Sequence, residues 1–386
     1  MINLSIRRLS EKEFLEVKDE WNSVLEKSVT NEVFLLWEWT YAWWNSFKDG
    51  DRELYILIGE DSQGKMVGIA PFYKEKEAFP GMTNRGILKF CSSSDTYPDH
   101  LDIICEKEYA DPFLESICEY LKRNGKDWTV IKLDGVGEKS FVREYFETRR
   151  EDIKGFLVDC IPDSECPYLP LRKEFEEYLK SFPRKKRYNL LREKRKLLEK
   201  EGIKLKSIHL GEEPEKDIKN LFLLHAERAE RKGIETTFCG EKIYDFHKTF
   251  IASLLKEGKI IILSVYAGSV ALASSYCMKH NNKYYYYQSG ISSEGERKSA
   301  GAVLLSLLIE QASGEGCNEL DFLRGREDYK DYWTENYRKN YSITVRKDDF
   351  RNRMTHYIYA FYRHNLAQFQ RIYKPIIGRT NKKGKG

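Results

Sequence analysis

Lys283 to Trp333 reads KYYYYQSG (283–290), ISSEGERKSAGAVLLSLLIEQA (291–312) and, after a short gap, NELDFLRGREDYKDYW (318–333). Four consecutive tyrosines, Tyr284 to Tyr287, favour a strand, because aromatic side chains fit a pleated, half-buried surface, and Gly290 ends it. A polar loop then reaches Arg297-Lys298-Ser299-Ala300-Gly301-Ala302, which opens an apolar helix from about Ala302 to Ala312. A second strand follows at Glu319 to Leu323. A strand that turns through small residues into a helix aims several backbone N–H groups at one place, and the helix dipole adds positive potential there. Such a place suits a phosphate or pyrophosphate.

The rest of the chain sets bounds on this reading. At 386 residues it is long enough for two domains. With 41% hydrophobic and 33% charged residues it reads as globular rather than disordered. No run approaches the length of a transmembrane helix, and MINLSIRRLSEKEF at the start reads as a strand entering a helix rather than a signal peptide. The expected location is the cytoplasm. Eight cysteines (91, 105, 118, 160, 166, 239, 277 and 317) include no Cys-x-x-Cys pair and no histidine at ligand spacing. They read as free thiols, and no metal site is expected. His225 and His247 fall in helical stretches and read as structural.

Charge is unevenly spread. The net value is +4, yet residues 184–200 carry nine Lys/Arg against Glu193 and Glu199, and residues 371–386 carry six with no acid. Basic charge concentrated on a mildly acidic body points to a phosphate-bearing partner or a membrane surface.

The order of elements repeats. Residues 4–8 read as a strand, 11–27 as a helix, and the aromatic run 34–44 as a helix or turn in the core. Residues 54–59 and 66–73 form a hairpin about Asp61-Ser62-Gln63-Gly64. Further strands fit 87–91, 101–105 and 128–133, with a helix at 109–123. In the second half a strand at 204–209 precedes helices at 215–232 and 244–257. A hairpin of 260–266 with 270–280, the tyrosine strand, its helix, the Leu320 strand and a last strand at 341–346 complete the set. The expected fold is α/β (α+β): two tandem domains, each a mixed central sheet flanked by helices, joined by a basic helix. The expected bounds are 1–165, a connecting segment 166–203, 204–350, and a C-terminal helix and basic tail at 351–386.

Arg297-x-x-Ala300-x-Ala302 resembles the Gln/Arg-x-x-Gly-x-Gly/Ala turn by which GNAT-family acyltransferases hold the pyrophosphate of acyl-coenzyme A, with Ala300 where the family has its central glycine. Two such domains in tandem resemble the Fem-type peptidoglycan transferases. The chain is closer still to the CelD-type acetyltransferases of polysaccharide biosynthesis. That resemblance covers about residues 30–345. It rests on Phe182-Pro183-Arg184-Lys185-Lys186-Arg187-Tyr188-Asn189-Leu190-Leu191-Arg192, on Tyr287-Gln288-Ser289-Gly290 with the turn after it, and on Leu320-Asp321-Phe322-Leu323-Arg324-Gly325 followed by Tyr329-Lys330-x-x-Trp333.

The resemblance implies an N-acyltransferase that takes an acetyl group from acetyl-CoA to an amine, in particular an amino sugar in cell-envelope or exopolysaccharide synthesis. Backbone N–H groups near Gln288, Ser289 and Gly290 would meet the acyl oxygen. Those of Ser299, Ala300, Gly301 and Ala302, with Arg297, would cradle the pyrophosphate. Tyr329 would protonate the leaving thiolate, Lys330 would polarise the carbonyl, and Asp321 would accept the amine's proton. By resemblance to Fem-type enzymes Arg187 would read a diphosphate on a sugar-nucleotide or lipid-linked acceptor. The loop with Asp95, Tyr97, Asp99 and His100 would touch the acceptor. The N-terminal half, with Cys105-Glu106-Lys107-Glu108-Tyr109-Ala110-Asp111 in the turn position and no glycine there, would bind no coenzyme A. Two other readings stay open: aminoacyl transfer from aminoacyl-tRNA, the one route by which nucleic acid would enter, and a non-catalytic glycan- or partner-binding subunit. The basic tail would favour peripheral membrane association.

Overall fold

A computed structural model describes residues 3–76, 86–149, 155–200, 202–207, 214–349 and 352–353. The first half runs β1 (Ser5–Arg8), α1 (Glu11–Glu16), α2 (Lys18–Glu26), α3 (Trp37–Phe47), β2 (Arg52–Leu54), β3 (Leu57–Glu60), β4 (Met66–Ala70), β5 (Phe72–Lys76) and β6 (Gly86–Phe90). It continues through β7 (Ile104–Cys105), α4 (Ala110–Arg123), β8 (Trp128–Gly137) and α5 (Phe141–Thr148). Then β9 (Phe156–Pro170), α6 (Phe175–Lys180) and α7 (Arg184–Leu198) lead across. The second half runs β10 (Ile203–Ser207), α8 (Glu215–Lys232), α9 (Glu241–Leu255), β11 (Ile260–Ala267), β12 (Val270–His280) and β13 (Lys283–Ile291). It ends with α10 (Ser293–Arg297), α11 (Ala300–Gly314), β14 (Glu319–Asp321), α12 (Asp328–Asp331) and β15 (Tyr337–Lys347). The tail expected to be a basic extension lies almost wholly outside the described residues.

Among the described residues the strands form two sheets flanked by helices, a wholly antiparallel one of four strands and a mixed one of eleven. One is β1-β3-β4-β7, and the other is β10-β11-β12-β13-β14-β9-β15-β8-β6-β5-β2. The second sheet passes unbroken from one half to the other. The boundary expected at 165/166 falls inside β9, which pairs with β14 at Tyr168 to Pro170 and with β15 along the rest of its length. From the far end of the chain, β15 inserts between β9 and β8. Three prolines in β9 (Pro162, Pro167 and Pro170) make it read as loop. Each proline forgoes only its own N–H, and the Pro167 carbonyl still accepts from the Phe322 N–H at 2.9 Å while Pro170 keeps its place opposite Glu319 of β14.

The tyrosine strand ties two cores together. Strand alternation sends Tyr285 and Tyr287 to one face and Tyr284 and Tyr286 to the other. Tyr285 and Tyr287 pack on the large core that includes Phe34 and Trp39 of the first half, with Trp39 and Tyr287 ring centres 5.6 Å apart. Tyr284 and Tyr286 face the core under α11, with Leu304, Leu308 and Trp333. The aromatic run 34–44 is a 3₁₀ turn leading into α3, and Trp39 meets Phe246 and Phe250 of α9 edge-on at 4.8 Å. In the first half, Gly59 and Gly68 leave room for the Phe113 ring of α4. A Cβ at either would stand 2.6 Å from that ring.

Candidate active site

The site begins where β13 and β14 part. They pair in parallel at Lys283/Glu319, Tyr284/Leu320 and Tyr285/Asp321, and no pairing follows. β14 ends while β13 runs on to Ile291. A bulge in the β12–β13 register at Tyr276/Cys277 lies beside this point. From Tyr286 onward the β13 edge that faces the gap has no ladder partner. The Ser289 N–H takes the side-chain oxygen of its neighbour Gln288 at 3.0 Å instead.

A cavity of about 500 Å³ opens from this gap toward α11, lined by Ser289, Gly290, Ser299, Gly301, Ala302 and Tyr329 among others. The helix start there is unusual. Ser299 is the N-cap at φ 56°, in the left-handed region, with no side-chain cap. Among the described residues the N–H groups of Ala300, Gly301 and Ala302 have no hydrogen-bond partner. Three donors at a 15-residue helix start, facing a cavity, fit an anionic oxygen cluster. Arg297 is exposed beside them and has no ion pair among the described residues. Ala300 belongs to this turn by its backbone alone. Its methyl group is fully buried in the core under the helix, so alanine takes the family's glycine position without crowding the cavity.

A second cavity of about 200 Å³ lies on the other side of β13, lined by Asp95, Tyr97, Asp99, Gln288, Glu327 and Lys330 among others. The two cavities share Arg228, Tyr286, Ser289 and Tyr329. An acyl chain entering from one and a nucleophile from the other would meet at this wall. Burial, with Tyr286 and Glu327 nearby, pushes the Tyr329 hydroxyl well above its ordinary pKa, so it keeps its proton at neutral pH. Arg228 lies 5.7 Å from the Tyr329 ring centre and donates to Glu327 at 3.0 Å.

The other expected site residues divide. The Lys330 ammonium, 4% exposed, donates to the carbonyls of Arg324 at 2.8 Å and Gly325 at 3.1 Å. It thereby holds a turn in which Leu323 and Gly325 both have positive φ. Burial pushes its pKa down, against the pull of Glu327 and Asp99. Lys330 lines the smaller cavity, but its ammonium is taken up by these carbonyls and by Glu327 at 3.6 Å. Asp321 corrects the expectation of a base. It is fully buried and lines neither cavity. Its carboxylate faces His100 at 2.9 Å and Arg338 at 3.7 Å and accepts from the Leu323 N–H at 2.8 Å. Burial raises its pKa, yet His100 and Arg338 outweigh that and hold it at about 2. A carboxylate so held is a poor proton acceptor.

On the loop expected to touch the acceptor, Asp95 accepts from Arg52 at 2.8 and 3.1 Å and from the Trp43 indole at 2.9 Å. Asp99 accepts from the Arg324 guanidinium at 2.7 Å and its N–H at 2.8 Å. Both line the cavity with their charge already compensated. Tyr97, 46% exposed, stands at the rim with Arg324 5.9 Å from its ring centre. His100 is buried against Asp321. Arg187 lines neither cavity: its N–H donates to the Pro183 carbonyl at 3.1 Å, and its side chain has no ion pair among the described residues. Sequence reasoning missed Arg228 and Glu327. Arg228 sits in an ordinary amphipathic helix, and only the fold of α8 over Gly290 brings it to the shared wall. Glu327 lies in the charged run Arg326-Glu327-Asp328, which carries no local signal for a site. His225 also acts here: one ring nitrogen lies 3.1 Å from the Ser289 carbonyl and the other 2.8 Å from Thr236. Among the described residues no group of side chains could hold a metal ion, and no helix is long and apolar enough to cross a membrane.

Residues 184–331 match the family described as acetyltransferase (GNAT) domain. No curated protein sequence matches the chain significantly. Among solved structures, the crystal structure of FemX superposes with a TM-score of 0.61 at 13% identity, covering 88% of this chain and 96% of that one. The C-terminal domain of a putative lysylphosphatidylglycerol synthetase from Agrobacterium fabrum gives 0.52 at 8% identity, covering 90% and 96%. L-PGS from Bacillus licheniformis gives 0.50 at 11%, covering 84% and 90%. At these identities the likeness is one of fold. Residues 184–331 thus resemble an acetyltransferase (GNAT) domain, and the α+β architecture of the chain is similar to that of FemX.

Proposed function

We propose that the protein is an acetyl-CoA-dependent N-acetyltransferase whose acceptor is the amine of an amino sugar, serving cell-envelope or exopolysaccharide synthesis. The observation that carries the transferase reading is the pair of cavities meeting at Tyr286, Ser289 and Tyr329, one of them ending in the free N–H groups of α11. Acetyl-CoA supplies the activated thioester. The α11 start and Arg297 hold its pyrophosphate, and the open edge of β13 receives the acyl oxygen where negative charge develops. The acceptor amine enters from the smaller cavity and attacks the carbonyl carbon. The carbon–sulfur bond breaks, and Tyr329 gives its proton to the departing sulfur. Glu327, which lines the acceptor side with its side chain 44% exposed although paired with Arg228, takes the amine's proton in place of the fully buried Asp321. Lys330 acts as a positioning residue, because its ammonium holds the turn that carries this wall. The amino-sugar assignment rests on the family resemblance and on a polar acceptor cavity whose charges are paired among the described residues.

The test is a transfer assay with acetyl-CoA and a panel of free, nucleotide-linked and lipid-linked amino sugars, reading thiol release and product mass. Acetylation of an amino sugar is the expected result. No turnover with acetyl-CoA but transfer from aminoacyl-tRNA would replace the reading with aminoacyl transfer. Failure with both donors would leave a binding subunit.

A further inference from the structure

The basic helix α7 has no part in the site just described, yet it is built in a way that stability alone does not explain. Its buried side is narrow: Leu190 and Leu197 are 4% and 2% exposed. On the opposite side, at i, i+4, i+7 and i+11, stand Arg184, Tyr188, Leu191 and Arg195, one continuous outward stripe. Tyr188 is 63% exposed and Leu191 39%. Arg187 and Arg192 flank the stripe. Arg192 is paired with its neighbour Glu193 at 2.9 Å, whereas Arg184, Arg187 and Arg195 have no ion pair among the described residues. The first turn holds no acid and four successive cations from Arg184 to Arg187. That arrangement opposes the helix dipole and repels itself. Such a helix is stabilised when something anionic covers it.

We propose that this face of α7 docks on an anionic lipid bilayer, as a peripheral contact with Tyr188 and Leu191 seated at the headgroup boundary and the arginines on lipid phosphates. Arginine with an exposed aromatic and an exposed aliphatic side chain on one stripe is the composition of an interfacial helix. A polyanion such as RNA matches the arginines and can stack on Tyr188, but it gains nothing from Leu191, and that decides for the bilayer. The contact lies near the catalytic half. Lys186 on the inner side of α7 donates to the Tyr332 carbonyl and stands 3.9 Å from that ring's centre, and Tyr332 lines the larger cavity. A bilayer on α7 would therefore hold the acyl cleft close to the membrane surface.

The test is co-sedimentation of the full chain with phosphatidylcholine vesicles, with vesicles containing 30% phosphatidylglycerol, and with a structured RNA in place of lipid. Wild type should bind the anionic vesicles, bind the neutral ones far less, and be released by about 0.5 M salt. Arg184→Glu with Arg195→Glu removes two cations and adds two acids. At roughly fivefold per unit of charge near the surface, binding should fall by more than a hundredfold while the melting temperature stays within a few degrees. Tyr188→Ser with Leu191→Ser should weaken binding about tenfold at a salt level that leaves wild type bound. Undiminished vesicle binding by the arginine variant would overturn the proposal and assign any membrane affinity elsewhere in the chain. Binding of wild type to RNA but not to vesicles would overturn it in favour of a nucleic-acid surface.

Discussion

Two residues separate chemistry from scaffold at the candidate site. Tyr329 keeps its proton, since desolvation raises its pKa well above the ordinary value, and it lies partly buried on the wall common to both cavities. Tyr329→Phe should lower turnover by about 10²–10⁴-fold, the range for losing a general acid, with the KM for acetyl-CoA unchanged. A parallel loss in donor affinity would mean that the ring is only packing. Asp321 makes the opposite case. Asp321→Asn should cost about 3–5 kcal/mol of stability, because it leaves the buried His100 ring without its counter-charge, while Arg338 keeps Glu319 at 2.5 Å. The pH dependence follows from the two shifts. Burial disfavours the charged His100 ring, but Asp321 outweighs it and raises the ring's pKa. Its contribution is therefore present below the ordinary histidine value and is lost as pH rises through the raised one. Asp321, held at about 2, contributes above the ordinary carboxylate value and loses its effect only as pH falls toward 2. The deficit of the variant in denaturant titrations should be largest between roughly pH 4 and 6 and shrink in alkaline buffer. A deficit independent of pH would show that the pair is not ionised.

Among the elements, the β13–α11 unit was legible because its signals are local. A tyrosine run makes the strand, and small residues followed by an apolar stretch make the turn and helix. The helix begins at Ala300 rather than Ala302, and a short α10 fills what reads as loop. Elements made by distant partners were not legible. β9 carries prolines and becomes a strand only because β15 arrives from the other end of the chain. Asp321 reads as a strand-end carboxylate free for chemistry until His100, more than two hundred residues earlier, is placed against it. The close approach of α8 to β13 belongs to the same class. A Cβ at Gly290 would lie 2.6 Å from the His225 nitrogen and from the Leu224 Cβ, and backbone cannot give way cheaply. Gly290→Ala should therefore destabilise the protein by about 1–3 kcal/mol and move α8, with Arg228, off the shared wall. A melting temperature equal to wild type would show that the helix has room to shift.

For the whole molecule, the unbroken sheet makes the halves interdependent. Tyr285 and Tyr287 share a core with Phe34 and Trp39 of the first half, and β15 closes the gap between β8 and β9. Full-length protein should unfold in one calorimetric transition, and a chain cut after residue 336 should be insoluble, since it exposes two strand edges at once. Two separated transitions would show that the halves fold alone. The proposed cradle, by contrast, lies in the second half. In the first half the corresponding helix, α4, is entered through a 3₁₀ turn at Lys107–Tyr109, and Asp111 in its first turn is already paired with Arg149. The most direct measurement is titration calorimetry of acetyl-CoA into wild type and Gly301→Glu. Gly301 opens on the larger cavity, and a side chain there meets only the flexible end of Ile291. A carboxylate at that position keeps the helix and repels a pyrophosphate. The account predicts one site per chain in wild type, at least a hundredfold weaker binding in the variant, and unchanged melting temperatures without ligand. Two equivalent sites, or equal affinity in the variant, would contradict it.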